Sequence, residues 1–350
     1  MSSYTELVTA SLIILDVVNP QSFREFILDD FEDSRIPLWT LNLEIPLGND
    51  TLQFLWIPDQ TYHELLIVAK VLAVSFRFIS NISRISLLRA ANTYATINTN
   101  LQRCLFLHIT RLVPTAPDRI SVNLRPVDKP ENTIKDSDFG IRWTSFRNGW
   151  DLSLNYLYHY HDLPVLFQSV HNTPQGPTVS IEPAYERSHL FGGTFSKAFG
   201  DLTLRGEIGY STDRYFLSAN PTQIDGVSQT DELASVLGFD WFGVSDTFLS
   251  LQLFQSTLIN SSAHLTRPNT DTTFTILVRR ELYNDTLEAE ILWLTNTNDG
   301  DGLARPKISY EWRDDFKSWI GADIFYGDKN GLFGQFEKND RIVVGLEVGF

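Results

Sequence analysis

The feature that most constrains this chain is a hydrophobic pattern with a period of two. The last ten residues, RIVVGLEVGF, show it clearly, because every second residue counted back from the end is apolar. That apolar set is Ile342, Val344, Leu346, Val348 and Phe350. Such alternation is typical of a β-strand with one apolar and one polar or small-residue face, whereas an amphipathic helix needs a period of about 3.6 residues. The sequence therefore predicts a strand at its end.

The same alternation recurs through most of the chain. In Asp151–His161 one face carries two leucines and three tyrosines, and the other carries a serine, an asparagine and two histidines. The other segments with this pattern are Trp39–Ile45, Leu52–Trp56, residues 139–143, Leu202–Tyr210, Thr286–Leu294 and Lys307–Arg313. Aromatic and aliphatic residues share one side of each segment, and charged or small polar residues share the other. We therefore expect an all-β protein.

Short and long connections alternate between these segments. The short ones hold the Gly, Asn and Asp residues that hairpins favour: Gly48–Asp50, Arg147–Gly149, Gly200–Asp201, Gly243–Asp246, Asn284–Asp285 and Asp314–Asp315. The long ones are polar: Leu163–Pro177, Thr212–Gly226, Asn260–Thr270, Thr297–Gly302 and Asp328–Asp340. Short turns at one end and long loops at the other are typical of outer-membrane barrels. The prediction is one antiparallel up-and-down transmembrane β-barrel over residues 1–350, with about twelve to sixteen strands.

Composition excludes several other classes. The chain has 28 Lys and Arg against 43 Asp and Glu, and its net charge of −15 argues against a nucleic-acid partner. A single cysteine, Cys104, excludes an internal disulfide framework. No apolar run reaches the length of about eighteen residues that a membrane helix needs. The start, MSSYTELVTA, lacks the pattern of a secretory signal, so we expect either a protein that is not exported or a sequence that is truncated at its N-terminus.

Two regions depart from the strand pattern. Asp16–Pro37 predicts a turn and then a short helix, which could line the barrel interior or cap one end and whose apolar side carries Phe23, Phe26, Ile27 and Phe31. Leu65–Pro117 is basic and contains no Asp or Glu. This atypical insert is interpreted as a plug, as a loop or as a segment altered by a frameshift, and the three alternatives stay open.

Four stretches carry a resemblance to a known family: NPQSFREFILDDFEDSRIP (19–37), LEIPLGNDTLQFLWIPD (43–59), RPVDKPENTIKDSDFGIRW (125–143) and SLNYLYHYHDLPVLF (153–167). Together they resemble a family of proteobacterial outer-membrane proteins of unassigned activity, which is grouped with porins and alginate-export-like barrels. The resemblance implies a barrel in the outer membrane of a Gram-negative bacterium, and it supplies neither a substrate nor catalytic residues. The last strand resembles the C-terminal strand of such barrels, which implies contact with outer-membrane lipid and with the outer-membrane assembly machinery.

Alternation also places a set of charged residues opposite the apolar face. They are Glu44, Arg142, Arg205, Glu207, Arg279, Glu281, Glu288, Glu290, Lys307, Glu311, Arg313 and Glu347. An Arg or Lys that faced lipid at the bilayer midplane would cost roughly 2–4 kcal/mol, so we expect this set to face a hydrated lumen. There it would either tune selectivity or form Arg–Glu pairs that brace the wall.

His159 and His161 share one face of their predicted strand, and two such histidines can chelate a metal. No third ligand is evident, so lumen or loop histidines are the favoured interpretation. No catalytic triad, phosphate-binding loop or nucleotide signature is evident either. The sequence thus predicts no metal, no cofactor and no catalytic residue.

Three functions remain from different classes. The first is a porin-like channel that passes small polar solutes. The second is an outer-membrane barrel enzyme, which should hold a serine and a histidine together on its lipid-facing surface. The third is a soluble, aromatic-rich carbohydrate-binding β protein, since a soluble β-sandwich also shows alternation, with its apolar face packed inward. The channel is the favoured prediction, and we expect no enzyme activity.

Overall fold

The structure is a computed structural model of the chain. It describes residues 18, 36–62, 121–131, 133–174, 176–218, 220, 223–260, 265–313, 315–328 and 331–349. The predicted short helix around Phe23 and Phe31 and the atypical segment Leu65–Pro117 lie outside these residues. No helix of the described residues is long and apolar enough to span a membrane.

The described residues form sixteen strands. They are β1 (Leu41–Leu47), β2 (Asp50–Ile57), β3 (Ser121–Leu124), β4 (Asp138–Arg147), β5 (Trp150–Tyr160), β6 (Val165–Thr173), β7 (Gly176–Ala184), β8 (Arg187–Phe199), β9 (Leu202–Leu217), β10 (Val227–Val244), β11 (Thr247–Ile259), β12 (Thr270–Leu282), β13 (Leu287–Asn296), β14 (Gly302–Arg313), β15 (Phe316–Tyr326) and β16 (Arg341–Val348). All but β3, β6 and β7 form one antiparallel sheet of thirteen strands, in which each strand pairs with the next one along the chain. The predicted all-β, up-and-down fold class is confirmed, and the strand count lies within the predicted range.

Short turns join the strands at one end of this sheet. The β4–β5 turn has a positive φ at both Asn148 (54°) and Gly149 (78°), as a type I′ hairpin requires. The same end carries the short β1–β2, β8–β9, β10–β11, β12–β13 and β14–β15 connections. The longer connections lie at the opposite end, which we call the long-loop end. The sequence predicted this asymmetry because Asn and Gly tolerate the left-handed backbone that tight hairpins need.

The two faces of the large sheet expose different kinds of side chain. On six neighbouring strands, the residues that pair in register with one another form a row that is entirely apolar or aromatic. This row consists of Leu43, Phe54, Ile141, Tyr156, Phe191 and Tyr210. We call the side with this row the apolar face; its Leu43 is 55 % exposed and its Val344 69 % exposed. The opposite side, the polar face, holds small polar and charged residues, including the buried Ser153, Gln252 and Arg279. A water-soluble sandwich would show the reverse arrangement.

A second, smaller sheet lies in the long β5–β8 connection. The hairpin β6–β7 forms two of its strands, and β3 pairs in parallel with β7. The sequence predicted a long polar connection at Leu163–Pro177, but it did not predict that β6 and the start of β7 lie within it. Val179 and Ile181 are fully buried, and the Gln168 N–H donates to the Asp225 carbonyl before β10 at 2.8 Å. The hairpin is thereby fixed to the long-loop end of the large sheet.

A β-bulge near the long-loop end of β9 changes which face its residues occupy. Glu232 of β10 pairs with Ser211, and Thr230 pairs with Arg214, so two residues of β9 lie opposite one of β10. Asp213 within the bulge has a positive φ of 56°. The extra residue moves Arg214 to the polar face, where strict alternation would have placed it on the apolar face.

The β15–β16 connection also packs against the polar face at the long-loop end. Phe333 and Phe336 form a buried cluster with Leu303 of β14 and Phe325 of β15. The fully buried Asp301 carboxylate accepts hydrogen bonds from the Phe333 and Gly334 N–H groups. Two long connections therefore cover part of the polar face at this end.

The last hairpin generates a test of packing on the polar face. Gly345 of β16 lies opposite Trp319 of β15, and a Cβ atom at Gly345 would lie 2.1 Å from the Trp319 ring. We expect Gly345→Val to destabilise the folded protein by about 1–3 kcal/mol, because the ring must leave its place. The temperature at which the folded form is lost on a denaturing gel measures this.

The control for this substitution is Gly349→Ala, whose new Cβ would meet its nearest neighbours at 3.8 Å, an ordinary contact. It should leave the transition temperature unchanged. In a Trp319→Ala background the ring is absent, so adding Gly345→Val should lower the transition temperature much less than it does in the parent. Equal transition temperatures for Gly345→Val and Gly349→Ala would contradict this account of the hairpin.

Candidate functional site: the polar face of the large sheet

The centre of the candidate site is a charged row on β12, β13 and β14. Arg279 lies opposite Glu290, which lies opposite Lys307. Arg279 Nη2 is 2.7 Å from Glu290 Oε2, and Arg279 Nε donates to the same oxygen at 2.8 Å. Arg279 is only 4 % exposed, so this ion pair is largely removed from water. Lys307 Nζ lies 5.0 Å from the centroid of the Trp319 ring, a cation–π distance.

A second ion pair spans β9 and β10. Arg205 Nη2 donates to Asp240 Oδ1 at 3.1 Å, and Arg205 Nε is 3.0 Å from Asp240 Oδ2. The arginine side chain passes over Gly238, where a Cβ would approach its Cγ and Nε to 3.3 Å. The absence of a side chain at Gly238 thus gives Arg205 room to reach along the strand. The sequence predicted Arg205 on this face but missed Asp240.

A third ion pair was missed entirely from sequence. Asp323 of β15 is 2 % exposed and contacts two arginines. Arg305 Nε donates to its Oδ1 at 2.8 Å, and Arg341 Nε donates to its Oδ2. The sequence did contain a signal for Asp323, because it directly precedes the apolar Ile324 and alternation therefore places it on the polar face of β15. One buried carboxylate here holds β14, β15 and β16 together.

The remaining predicted charges have other neighbours on the polar face. Glu281 lies opposite Glu288, whose carboxylate is 3.8 Å from Arg279 Nε. Glu311 and Glu347 both lie opposite Lys317 in the strand register. Glu44 accepts a hydrogen bond from Asn42 Nδ2 at 3.0 Å. The exposed Arg142 lies between Gln53 and Asn155 in the strand register. Glu207 lies opposite Val236, and Arg313 lies opposite Phe316 beside a register shift. Their predicted part in selectivity or in bracing the wall stays a prediction.

A basic network lies at the long-loop end of the polar face. Glu232 of β10 contacts both Arg214 Nε and Arg267 Nη1 at 3.2 Å. Arg267 Nη2 also donates to Ser256 Oγ at 2.8 Å. Sequence reasoning missed this network because strict alternation places Arg214 on the wrong face and gives no position to Arg267, which lies in a long connection.

The two histidines of the predicted lumen lie beside this network. His159 and His161 are 5 % and 6 % exposed, and their ring centroids are 5.4 Å apart in an edge-to-face arrangement. His161 Nδ1 is 2.8 Å from Arg214 Nη1. In the described part of the chain, no group of three or more His, Cys, Asp or Glu side chains is arranged to hold a metal ion.

A serine and a histidine also meet in the structure, but away from the apolar face. Ser169 Oγ lies 3.2 Å from His171 Nε2, and both residues are on β6 of the small sheet. On the apolar face His189 contacts Tyr156, with the tyrosine oxygen 2.9 Å from its Nδ1. The arrangement expected of a barrel enzyme, a Ser–His pair on the lipid-facing surface, is not found among the described residues.

The C-terminal strand lies at one margin of the large sheet. Ile342, Val344, Leu346 and Val348 share the apolar face of β16 and are between 53 % and 77 % exposed. Phe350, the last member of the predicted signature, lies outside the described residues. The predicted contact of this strand with the assembly machinery stays a prediction.

Comparison with known proteins finds solved structures of low similarity. No family model and no curated protein matches the chain. Among solved structures, OmpF of Salmonella typhi in complex with daunomycin aligns with a TM-score of 0.37 and 10 % identity, over 60 % of this chain and 61 % of that one. The KdgM porin aligns with a TM-score of 0.26 and 11 % identity, over 62 % of this chain and 94 % of that one. The KdgM porin in complex with disordered oligogalacturonate aligns with a TM-score of 0.26 and 10 % identity, over 61 % of this chain and 93 % of that one.

The chain thus spans about three fifths of the OmpF chain. Likeness at these scores carries no argument about activity or ligand. The family resemblance seen in the sequence stays a prediction, and the functional interpretation rests on the residues of this chain.

The buried pair of Arg279 and Glu290 generates a stability prediction. Glu290→Ala leaves the guanidinium buried without its closest partner, which should cost about 3–5 kcal/mol in the free energy of unfolding. Glu347→Ala is the control, because Glu347 is exposed and an exposed charge contributes little. Urea unfolding in detergent, followed by tryptophan fluorescence, measures both. Equal midpoints for the two variants would contradict the assigned role of Glu290.

Asp162, in the loop after β5, generates a pH prediction. Burial raises its pKa from 3.8 to about 7, the like charge of Asp138 adds to the rise, and Arg214 opposes it. Between about pH 4 and pH 7 the folded protein therefore holds a proton that the unfolded chain has released. The stabilising contribution of this group is fully present below the unfolded pKa of 3.8, and it is lost as the pH rises through the folded pKa of about 7.

We expect Asp162→Asn to raise the thermal midpoint clearly more at about pH 8 than at about pH 5, because the parent loses much of the Asp162 contribution between these pH values. The exposed Asp151 of the preceding strand β5 gives the control Asp151→Asn, which should show no such difference between the two pH values. Circular dichroism melting curves in detergent measure the midpoints. An Asp162→Asn effect of the same size at both pH values would contradict the assignment.

Proposed function

We propose that this protein is a porin-like channel of the outer membrane, which passes small polar solutes through a charged, hydrated lumen. The observation that carries the proposal is the inverted arrangement of the large sheet. Its apolar face is exposed, and its charged face is the one on which long connections and ion pairs lie. Hydrocarbon solvates such an apolar face, and water or protein must solvate the other.

Energetics favour this orientation over the soluble alternative. Monomeric soluble proteins rarely expose apolar patches larger than a few hundred Å², whereas here exposed apolar side chains occur on strands from β1 to β16. A soluble carbohydrate-binding protein would need to bury this face. The barrel enzyme lacks support in the described residues, because the Ser169–His171 contact lies on the small sheet.

The charges on the polar face support passage of polar solutes. Both signs are present, and they include the row Arg279–Glu290–Lys307 and the exposed Arg142. Opposed charges across a hydrated lumen create a transverse field that orients polar solutes. The hairpin β6–β7 and the β15–β16 connection narrow the lumen at the long-loop end in this proposal.

Outer-membrane lipid on the apolar face, and the assembly machinery on β16, are the partners that this function implies. The exposed aliphatic stripe of β16 supports both, because a strand of that pattern suits insertion at a lipid boundary. The outer membrane is accordingly the proposed location. No nucleic-acid partner is proposed for a chain with a net charge of −15.

The test is reconstitution of the refolded full chain into planar lipid bilayers, with heat-modifiable migration on a denaturing gel as the check of folding. We expect discrete conductance steps. In a salt gradient, Arg142→Glu should shift the reversal potential towards cation selectivity, because it places a negative charge in the lumen, and Arg142→Lys should not. A folded protein that gives no conductance would overturn the proposal.

A further inference from the structure

A cavity of about 310 Å³ lies on the polar face at the long-loop end. It is lined by the end of β5, the loop that follows, the start of β6 and the end of β9. Its polar wall includes His161, Asp162 and Arg214, and its apolar wall includes Leu163, Val165 and Leu166. His161 and Arg214 bring the polar face of the large sheet to this cavity, so in the proposed channel it is open to a solute in the lumen.

The contact between His161 and Arg214 fixes the tautomer of the histidine. A guanidinium group has N–H donors and no acceptor. His161 Nδ1, 2.8 Å from Arg214 Nη1, must therefore accept the hydrogen bond, and a neutral imidazole then carries its proton on Nε2. Burial, and then the charge of Arg214, lower the pKa of His161 to about 2, so the ring is neutral at physiological pH.

This leaves a buried donor without an acceptor. His161 Nε2 has no hydrogen-bond partner among the described residues, and the side chain is 6 % exposed. A buried polar hydrogen with no acceptor is costly, and native structures rarely contain one unless a water or a ligand completes the site. The cavity that His161 lines offers the space for that acceptor.

The charge beside this donor is positive and only partly neutralised. Glu232 contacts both Arg214 and Arg267, and the Asp162 carboxyl, which also interacts with Arg214, is protonated below its pKa of about 7. Arg267 Nε is buried and, in the described part of the chain, has no hydrogen-bond partner. Arg214 is held in place by its contact with Glu232 while its side chain stays 36 % exposed. A fixed, accessible guanidinium next to a neutral N–H donor favours an anionic oxygen acceptor.

We propose that this cavity binds a small carboxylate with an apolar body. In this arrangement the His161 Nε2–H group donates to one carboxylate oxygen, Arg214 supplies the neighbouring positive charge, and Leu163, Val165 and Leu166 contact the apolar body. A body of about six carbon atoms suits a cavity of this size. The site deepens the proposed function, on which its role in solute passage rests, since it would give the channel a preference among polar solutes.

Hexanoate and hexanamide are the probes, because they share one chain length and differ in the charge of the head group. Isothermal titration calorimetry on the full chain in detergent, at about pH 6 where Asp162 is protonated, should give binding of hexanoate at least about tenfold tighter than that of hexanamide. His161→Phe keeps the ring and removes the donor, so it should weaken hexanoate binding by about tenfold or more. His171, an exposed residue near the end of β6 that does not line the cavity, gives the matched control His171→Phe, which should bind hexanoate as the parent does.

A second measurement needs no variant. In histidine-labelled protein, ¹⁵N NMR should show His161 with its proton on Nε2, and that resonance should move when hexanoate is added and stay in place with hexanamide. Equal binding of the two probes, no binding of hexanoate, or an unchanged affinity in His161→Phe would overturn the proposal. Conductance without hexanoate binding would contradict the proposed binding site and support the channel. Hexanoate binding without conductance would support the binding site and contradict the channel.

Discussion

Water solvates the apolar face of this sheet only at a high free-energy cost, and the rest of the structure depends on that constraint. Because side chains alternate between faces along a strand, a sheet that presents Leu43, Ile320 and Val344 to its surroundings must present Glu290 and Arg205 on the other side. Hydrocarbon can solvate the apolar side chains, whereas the charged side chains need water or a partner of opposite charge. The hairpin order follows, because neighbouring antiparallel strands pair every backbone group without a crossover.

The polar face handles its charges in two ways. Within the strands, Arg279 and Asp323 are buried, Arg205 is half-buried, and each forms an ion pair with a neighbouring strand. At the long-loop end, two connections fold over the same face, and Glu232 must serve two arginines. The first arrangement favours stability, and the second leaves charge and hydrogen-bonding capacity for a solute. Bracing and selectivity stay predictions for the charged set found in the sequence, and the network of Glu232, Arg214 and Arg267 lies outside that set.

Much of this fold could be predicted from the sequence, because period two and hairpin turns are local signals. Predicted Asp151–His161 became β5 with nearly the same bounds, whereas predicted Leu202–Tyr210 became the longer β9, since the bulge at Asp213 interrupts alternation without ending the strand. The hairpin β6–β7 was missed because prolines within Leu163–Pro177 indicate a loop. Ion-pair partners such as Asp240 depend on register and rotamer, which a single sequence does not encode locally.

Accessibility along one strand tests the central claim most directly. Single cysteines in a Cys104→Ser background, placed at Leu204 and Ile208 on the apolar face and at Thr203 and Glu207 on the polar face, can carry an environment-sensitive fluorophore in lipid vesicles. Lipids with quenchers on their acyl chains should quench the first two sites strongly, and an aqueous quencher should reach the last two. Strong aqueous quenching at Leu204 and Ile208, with none from the lipid, would contradict the account.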